Sequence, residues 1–146
     1  MTLTQQLIEQ LKLKKAVTFP CAAVTQIQTT SIVLVKAGYP KIPRGYAAFL
    51  QLTDGLTWNE LELFSCTAHE RINTVFPQQD LMDYQQKFPL GRPFRNFLIL
   101  GRATECLICY DNTKKNYLLL DRLSLIPILK FPRFQDLLYH ILTSLY

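Results

Sequence analysis

Cys106-Leu107-Ile108-Cys109 and Cys66-Thr67-Ala68-His69 are the stretches of this chain whose residue types and spacing could do chemistry. A C-x-x-C and a C-x-x-H together supply four soft ligands, from which a tetrahedral zinc site can be drawn. Local geometry opposes it. Cys106 and Cys109 lie in an apolar, strand-like run, where residues three apart point to opposite faces, so both thiols reach one metal only if the strand breaks between them. A redox C-x-x-C opens a helix after a strand, whereas Tyr110-Asp111-Asn112 leads into a turn. Both cysteines read as buried thiols, and neither a metal nor another cofactor is expected.

The histidines offer little acid–base chemistry. His140 falls off the Leu137/Leu138/Ile141 stripe near a helix end, where a solvated imidazole is expected. His69 sits in a loop, within reach of Cys66 in sequence. The chain contains no G-x-S-x-G, H-E-x-x-H, P-loop or G-x-G-x-x-G motif, so the expectation is a protein that is not an enzyme.

Glu60 and Glu62, two apart on one strand, share a face as either paired carboxylates or a solvated charged surface. Trp58 and Phe64 flank them, opposite Leu61 and Leu63. Large aromatics interleaved with charge must be covered by another element or form a patch of the kind partners use. Asp54, Trp58, Asn59, Glu60 and Glu62 are therefore one candidate partner-binding cluster. The hydrophilic turn Asp111–Asn116 offers Asp111, Lys114 and Lys115 as a second, although solvation of a turn explains it equally. Arg92-Pro93-Phe94-Arg95-Asn96-Phe97 mixes cations with aromatics as nucleic-acid contacts do, but Phe97 begins a core strand and is lost as a stacking platform.

The elements that position these residues follow from periodicity. Thr2 and Gln5 have the form of a capping box, and Leu3, Leu7, Ile8 and Leu11 recur at helical spacing up to a Lys12–Lys15 group. From Val17 to Lys36 the pattern turns β-branched and polar, with Val24, Ile27, Ile32, Val33, Leu34 and Val35 as strand candidates and Pro20 limiting the first strand. Gly38–Lys41 forms a turn; Pro43 then opens a helix with Tyr46, Phe49 and Leu50 facing the core, and Gly55 supplies a left-handed stop. Leu61 and Leu63 alternate with the two glutamates in a half-buried strand. Residues 65–76 read as irregular, and Pro77 opens a helix with a Leu81, Tyr84 and Phe88 stripe, ended by Pro89-Leu90-Gly91. Phe97–Leu100, Cys106–Tyr110 and Tyr117–Leu120 are apolar runs whose connections are too short for crossover helices. They predict an antiparallel meander covered on much of both faces. Pro132 starts a last helix with the stripe Phe134, Leu137, Leu138, Ile141, Leu142 and Leu145. The order α–β–α–β–α–β–β–β–α predicts one α+β domain over residues 1–146, its central and mainly antiparallel sheet packed by N-terminal, middle and C-terminal helices.

At 146 residues such a domain can bury roughly 68–70% of its unfolded surface without disulfides or metals. The N-terminus lacks the basic-then-apolar order of a secretory signal and no apolar run approaches the ~20 residues that span a bilayer. A cytoplasmic protein without membrane contact is expected, its four cysteines reduced and buried. The net charge of +5 is spread along the chain, which disfavours a nucleic-acid partner because a basic footprint must cluster on one face.

The order Gly38-Tyr39-Pro40-x-Ile42-Pro43-x-x-Tyr46-x-x-Phe49-Leu50, then Asp54-Gly55-Leu56-x-Trp58-Asn59-x-Leu61-Glu62-Leu63-Phe64, resembles the SUKH superfamily, which includes fungal cell-wall assembly regulators and many bacterial relatives. Leu98-Ile99-Leu100-Gly101-Arg102, Ile108-x-Tyr110-Asp111 and Tyr117-x-x-Leu120-Asp121-Arg122 look like the meander of its bacterial branch. The likeness runs from about Gly38 to the C-terminal helix, and the order of these words is more specific than any one of them. It implies a non-enzymatic α+β domain that binds another protein, as do the many bacterial members that serve as immunity proteins neutralising a cognate toxin, often a nuclease, by stoichiometric occlusion, with no catalytic residues to carry over. An inhibitor of a nuclease toxin would usefully be acidic, whereas this chain is basic. Either the toxin is of another kind or an acidic patch is local, around Asp54, Glu60 and Glu62. The alternatives are a scaffold module of a housekeeping complex, distinguished by gene order, and, in third place, a nucleic-acid binder.

Overall fold

The computed structural model describes residues 1–69 and 78–144. Helices α1 (Leu3–Leu13), α2 (Val24–Lys36), α3 (Arg44–Leu50), α4 (Leu81–Lys87) and α5 (Phe134–Ser144) surround strands β1 (Val17–Thr18), β2 (Leu56–Trp58), β3 (Leu61–Leu63), β4 (Phe97–Ala103), β5 (Cys106–Asp111), β6 (Asn116–Asp121) and β7 (Pro127–Phe131). The strands form a single antiparallel sheet in chain order, β1 to β7, so the α+β architecture with helices on an antiparallel sheet is the fold of this chain. The expected Pro77 helix start and the stripe residue Leu145 lie outside the described residues, as does most of the irregular 65–76 segment.

Cross-strand pairing fixes which residues share a face. Trp58 pairs with Leu61 and Leu56 with Leu63, Leu63 with Gly101, Gly101 with Ile108 and Ile108 with Leu119, so these belong to one side. Helices α1, α3 and α5 cover that side. Their aromatic nucleus joins Tyr46, Phe49 and Phe134 at centroid separations of 5.1–5.5 Å, with Tyr117 of β6 5.8 Å from Phe134. Helix α4 lies on the opposite side, where Tyr84 stacks on Phe64 at 4.2 Å. Coverage from both sides explains why β5 is buried at every position and why its sequence is continuously apolar instead of alternating.

Two polar side chains tie the layers together. The hydroxyl of Tyr46 sits between the backbone carbonyls of Phe64 and Leu100, and burial pushes its pKa well above the ordinary tyrosine value. It joins α3 to adjacent strands. Where β4 shifts register between Ile99 and Gly101, the buried Gln85 of α4 stands in for a strand: its Nε2 donates to the Ile99 carbonyl at 2.7 Å and its Oε1 accepts from the Ile99 N–H at 3.0 Å. A bulge leaves such groups without a ladder partner, and burial makes that costly.

Three local expectations are corrected and one strand is added. Residues 24–36 are a helix: Gln26 accepts from the Ala23 N–H at 3.0 Å, and Ile27 and Leu34, seven apart, supply the buried side. Val24, Ile32, Val33 and Val35 remain exposed, because α2 needs only a narrow stripe against the domain. Strand β7, unanticipated, adds an edge to the sheet, with Pro127 at its first position, where a missing N–H is tolerated. Helix α3 ends with Gln51 as its C-cap, so Gly55 (φ 92°) does not stop it; that glycine turns the chain into β2. Phe88, expected in the core, is 53% exposed just past the end of α4.

Candidate partner-binding surface

Strands β2 and β3 form a hairpin whose two-residue loop is Asn59-Glu60. Asn59 adopts φ 53°, a left-handed conformation that asparagine tolerates better than most residues. The reversal redistributes the side chains expected on one strand. Trp58 lies on β2 and faces the same side as Leu61 and Leu63, whereas Glu62 and Phe64 point to the other. Trp58 is half-buried against the core, and Lys14, just past the end of α1, holds its Nζ 5.3 Å from the indole centroid, within cation–π range.

The two glutamates separate as well. Glu60 is exposed in the loop and accepts a hydrogen bond from Thr104 Oγ1 at 2.6 Å. Glu62 is buried: its Oε1 accepts from Arg102 Nε at 3.1 Å and pairs with Nη2 at 2.9 Å, while Oε2 accepts from the Gln79 N–H at 3.1 Å. It is a neutralised structural carboxylate, which corrects the reading of a solvated pair. Asn59, Glu60, Glu62, Arg102 and Arg122 together line a shallow depression of about 260 Å³ in which acids and arginines balance.

Asp54 lies apart from that depression and is buried. Its Oδ1 accepts from the Cys66 N–H at 2.7 Å, and its Oδ2 accepts from Thr67 Oγ1 at 3.1 Å and meets His69 Nε2 at 2.8 Å. The imidazole stacks on Phe19 at 4.6 Å. Asp54, Cys66 and His69 thus come together, as a nucleophile, a base and its orienter would. The bonding does not match that role: His69 uses Nε2 on Asp54, and burial and the Asp54 charge push the Cys66 thiol up to about 12, so the thiol stays protonated near neutral pH. Isolated bridges pair Ser65 with Asp80 and His69 with Gln78. The cluster fastens the 65–69 segment to the turn before β2.

The second predicted cluster is distant from the first. The β2–β3 loop reaches Thr104 at the β4–β5 turn, whereas Asp111 to Lys115 close the other end of β5, five residues or roughly 17 Å away along a strand. Asp111 is buried, and its Oδ1 accepts from the Thr113 and Lys114 N–H groups at 2.9 and 3.3 Å. It shapes the turn and is not a surface contact. Lys114 and Lys115 are exposed, and Lys115 ends the turn with φ 56°.

Of the eight residues predicted to contact a partner, Trp58, Asn59 and Glu60 share one surface, Lys114 and Lys115 share another, and Asp54, Glu62 and Asp111 are internal supports. Lys14 joins Trp58 on one side of the hairpin, whereas Thr104 bonds Glu60 and Arg102 and Arg122 line the depression on the other. Sequence alone does not bring them together, since they come from the end of α1, the end of β4 and the residue after β6.

Cys106 and Cys109 are buried on an unbroken strand, with Cys109's pKa raised by desolvation. Cys21 is exposed and Cys66 half-buried, so the expectation of four buried thiols holds for two. Among the described residues no group of three or more His, Cys, Asp or Glu is arranged to hold a metal ion, and no helix is long and apolar enough to cross a membrane. No family model matches this chain, and no curated protein matches it.

Proposed function

We propose that this chain is a non-enzymatic, cytoplasmic protein-binding domain of the SUKH type, an immunity protein that neutralises a cognate toxin by occupying it one to one. The observation that carries the reading is how the ordered words are used. Gly38–Leu50 forms a turn and α3, Asp54–Phe64 forms the β2–β3 hairpin, and the words from Leu98 to Arg122 form β4, β5 and β6 with their turns. They build one contiguous body. Its hairpin tip offers a half-buried tryptophan beside an asparagine and a glutamate, the mixture of anchor and polar rim that protein interfaces use.

The protonated Cys66 thiol and the His69–Asp54 bond support binding over turnover. The test is co-expression with the product of the gene immediately upstream, where an immunity gene's toxin is expected, followed by size-exclusion chromatography of the pair. Protection of the cells and a one-to-one complex are expected. A chain that protects no cells and forms no complex overturns the proposal.

A further inference from the structure

At the end of the molecule away from the Trp58 hairpin, the starts of α1, α3 and α5 and the β5–β6 turn enclose a groove of about 830 Å³. Three cations line it: Arg44, Lys115 and Arg133. No Asp or Glu is among the described residues that line it. Arg133 Nε donates to Asp136 Oδ2 at 3.1 Å, which compensates one charge. Lys115 Nζ donates to the neutral Asn112 Oδ1 at 2.8 Å, which compensates none.

Folding alone does not account for these cations. Arg44 is the first residue of α3 and Arg133 immediately precedes α5, positions where the helix macrodipole disfavours positive charge. Arg133 recovers part of that cost from Asp136, and residues that break a local rule without a full structural return tend to mark function. The turn that presents Lys115 is fixed by the buried carboxylate of Asp111, so that charge is positioned in advance.

We infer that this groove binds an acidic peptide segment of a protein partner, an inference that rests on the protein-binding reading above only for calling the peptide part of a partner. Guanidinium groups match carboxylates in shape and charge. The neutral lining includes Thr4, Gln5, Gln51 and Gln135, which can exchange hydrogen bonds with a peptide backbone, and the volume suits several residues. A nucleotide fits less well. The aromatic rings at the groove, Tyr110, Tyr117 and Phe134, are all buried, so no exposed ring is offered for base stacking. The basic balance of the chain, at odds with a nuclease partner, agrees with an acidic one.

Fluorescein-labelled hexaglutamate added to the full chain at low salt tests this by anisotropy. Saturable binding is expected, weakened at least tenfold in an Arg44→Ala/Arg133→Ala double variant and at least threefold in Lys115→Ala. A Lys12→Ala/Lys36→Ala variant, which removes the same charge elsewhere, should bind as the parent does, and circular dichroism melts establish that each variant folds. Amide shifts on titration should centre on residues 2–5, 44–45 and 133–135, and millimolar inorganic phosphate should not displace the peptide. Equal binding by the parent and the Arg44/Arg133 variant overturns the inference. So does tighter binding of a hexadeoxythymidylate through the same residues, which would make the groove a nucleic-acid site. The probe is not the toxin, so a chain that neutralises no toxin can pass this test and one that neutralises a toxin can fail it.

Discussion

Arg102 grips one oxygen of Glu62 with two nitrogens, Nε at 3.1 Å and Nη2 at 2.9 Å, from a side chain 35% exposed onto one 4% exposed. The asymmetry matters. The arginine keeps access to water, whereas the carboxylate depends on the arginine and one backbone N–H for its solvation. Glu62 therefore contributes almost nothing to an acidic surface, and with Asp54 also internal, only Glu60 of the three expected acids faces solvent.

Removing the arginine strands a buried charge. Arg102→Met, which keeps the aliphatic stem, is expected to lower unfolding free energy by about 3 kcal/mol, the low end of the range for breaking a buried pair because water reaches this one from one side. Replacing Glu62 by Gln in the same chain should restore much of that loss by removing the charge. Urea melts of the two variants and the parent decide it, and equal stability of Arg102→Met and the parent would show that the pair carries no load.

Gln85 makes a second test, independent of charge. Gln85→Leu leaves the buried N–H and carbonyl of Ile99 without their partners, each lost bond costing about 1–3 kcal/mol. A total of about 2–6 kcal/mol is expected by urea denaturation, with the β4 bulge region losing amide-exchange protection first. Uniform loss across the sheet would point to general packing instead.

Much of this fold was legible because burial and periodicity agreed. Tyr46, Phe49 and Leu50 follow the helical stripe and are all buried, and the strands from Phe97 to Asp121 are apolar because both faces are covered. Residues 24–36 misled because Ile32, Val33 and Val35 favour strands as types, while the elements packed against Ile27 and Leu34 decided for a helix; propensity is a weak prior beside tertiary contact. Strand β7 pairs on one side only and is largely exposed, so no alternation marks it. The site was legible in part. Trp58, Asn59 and Glu60 stand out as types, but assigning Trp58 and Glu62 to one face required an unbroken strand, and the turn at Asn59-Glu60 reverses that parity. Arg44, Lys115 and Arg133, far apart in sequence, meet only through the ends of three elements.

The cysteines should separate by reactivity. Cys66 is held up to about 12 by burial and by the Asp54 charge, and burial also raises Cys106 and Cys109. At pH 8 iodoacetamide should therefore modify the exposed Cys21 at least tenfold faster than the other three, as read by mass spectrometry of tryptic peptides. Linkage gives the sign for stability: the folded state keeps the Cys66 proton where the unfolded state releases it, so this contribution is present below about pH 9 and lost as pH rises toward 12. Rapid alkylation of Cys66 at pH 8 would contradict this and reopen its candidacy as a nucleophile.

The Trp58 side chain bears most directly on function. Its half-burial means that truncation removes some core contact as well as surface, so Trp58→Ala should cost about 1–2 kcal/mol, below the 3–5 typical of a fully buried large aromatic, and leave the domain folded by circular dichroism. If the proposed immunity role holds and the hairpin tip is the contact surface, the same change should weaken capture of the proposed toxin partner at least tenfold, since tryptophans on interfaces are frequent hot spots. Trp58→Phe should recover stability more fully than affinity, because a phenyl ring restores part of the packed area but lacks the indole's second ring and the N–H. Glu60→Gln should leave stability unchanged within about 0.5 kcal/mol, as expected for a surface position, and change association more than dissociation if its charge steers the partner. Paired melts and surface-plasmon kinetics separate these effects: a Trp58→Ala chain that stays folded and captures the toxin as the parent does removes the hairpin from the interface.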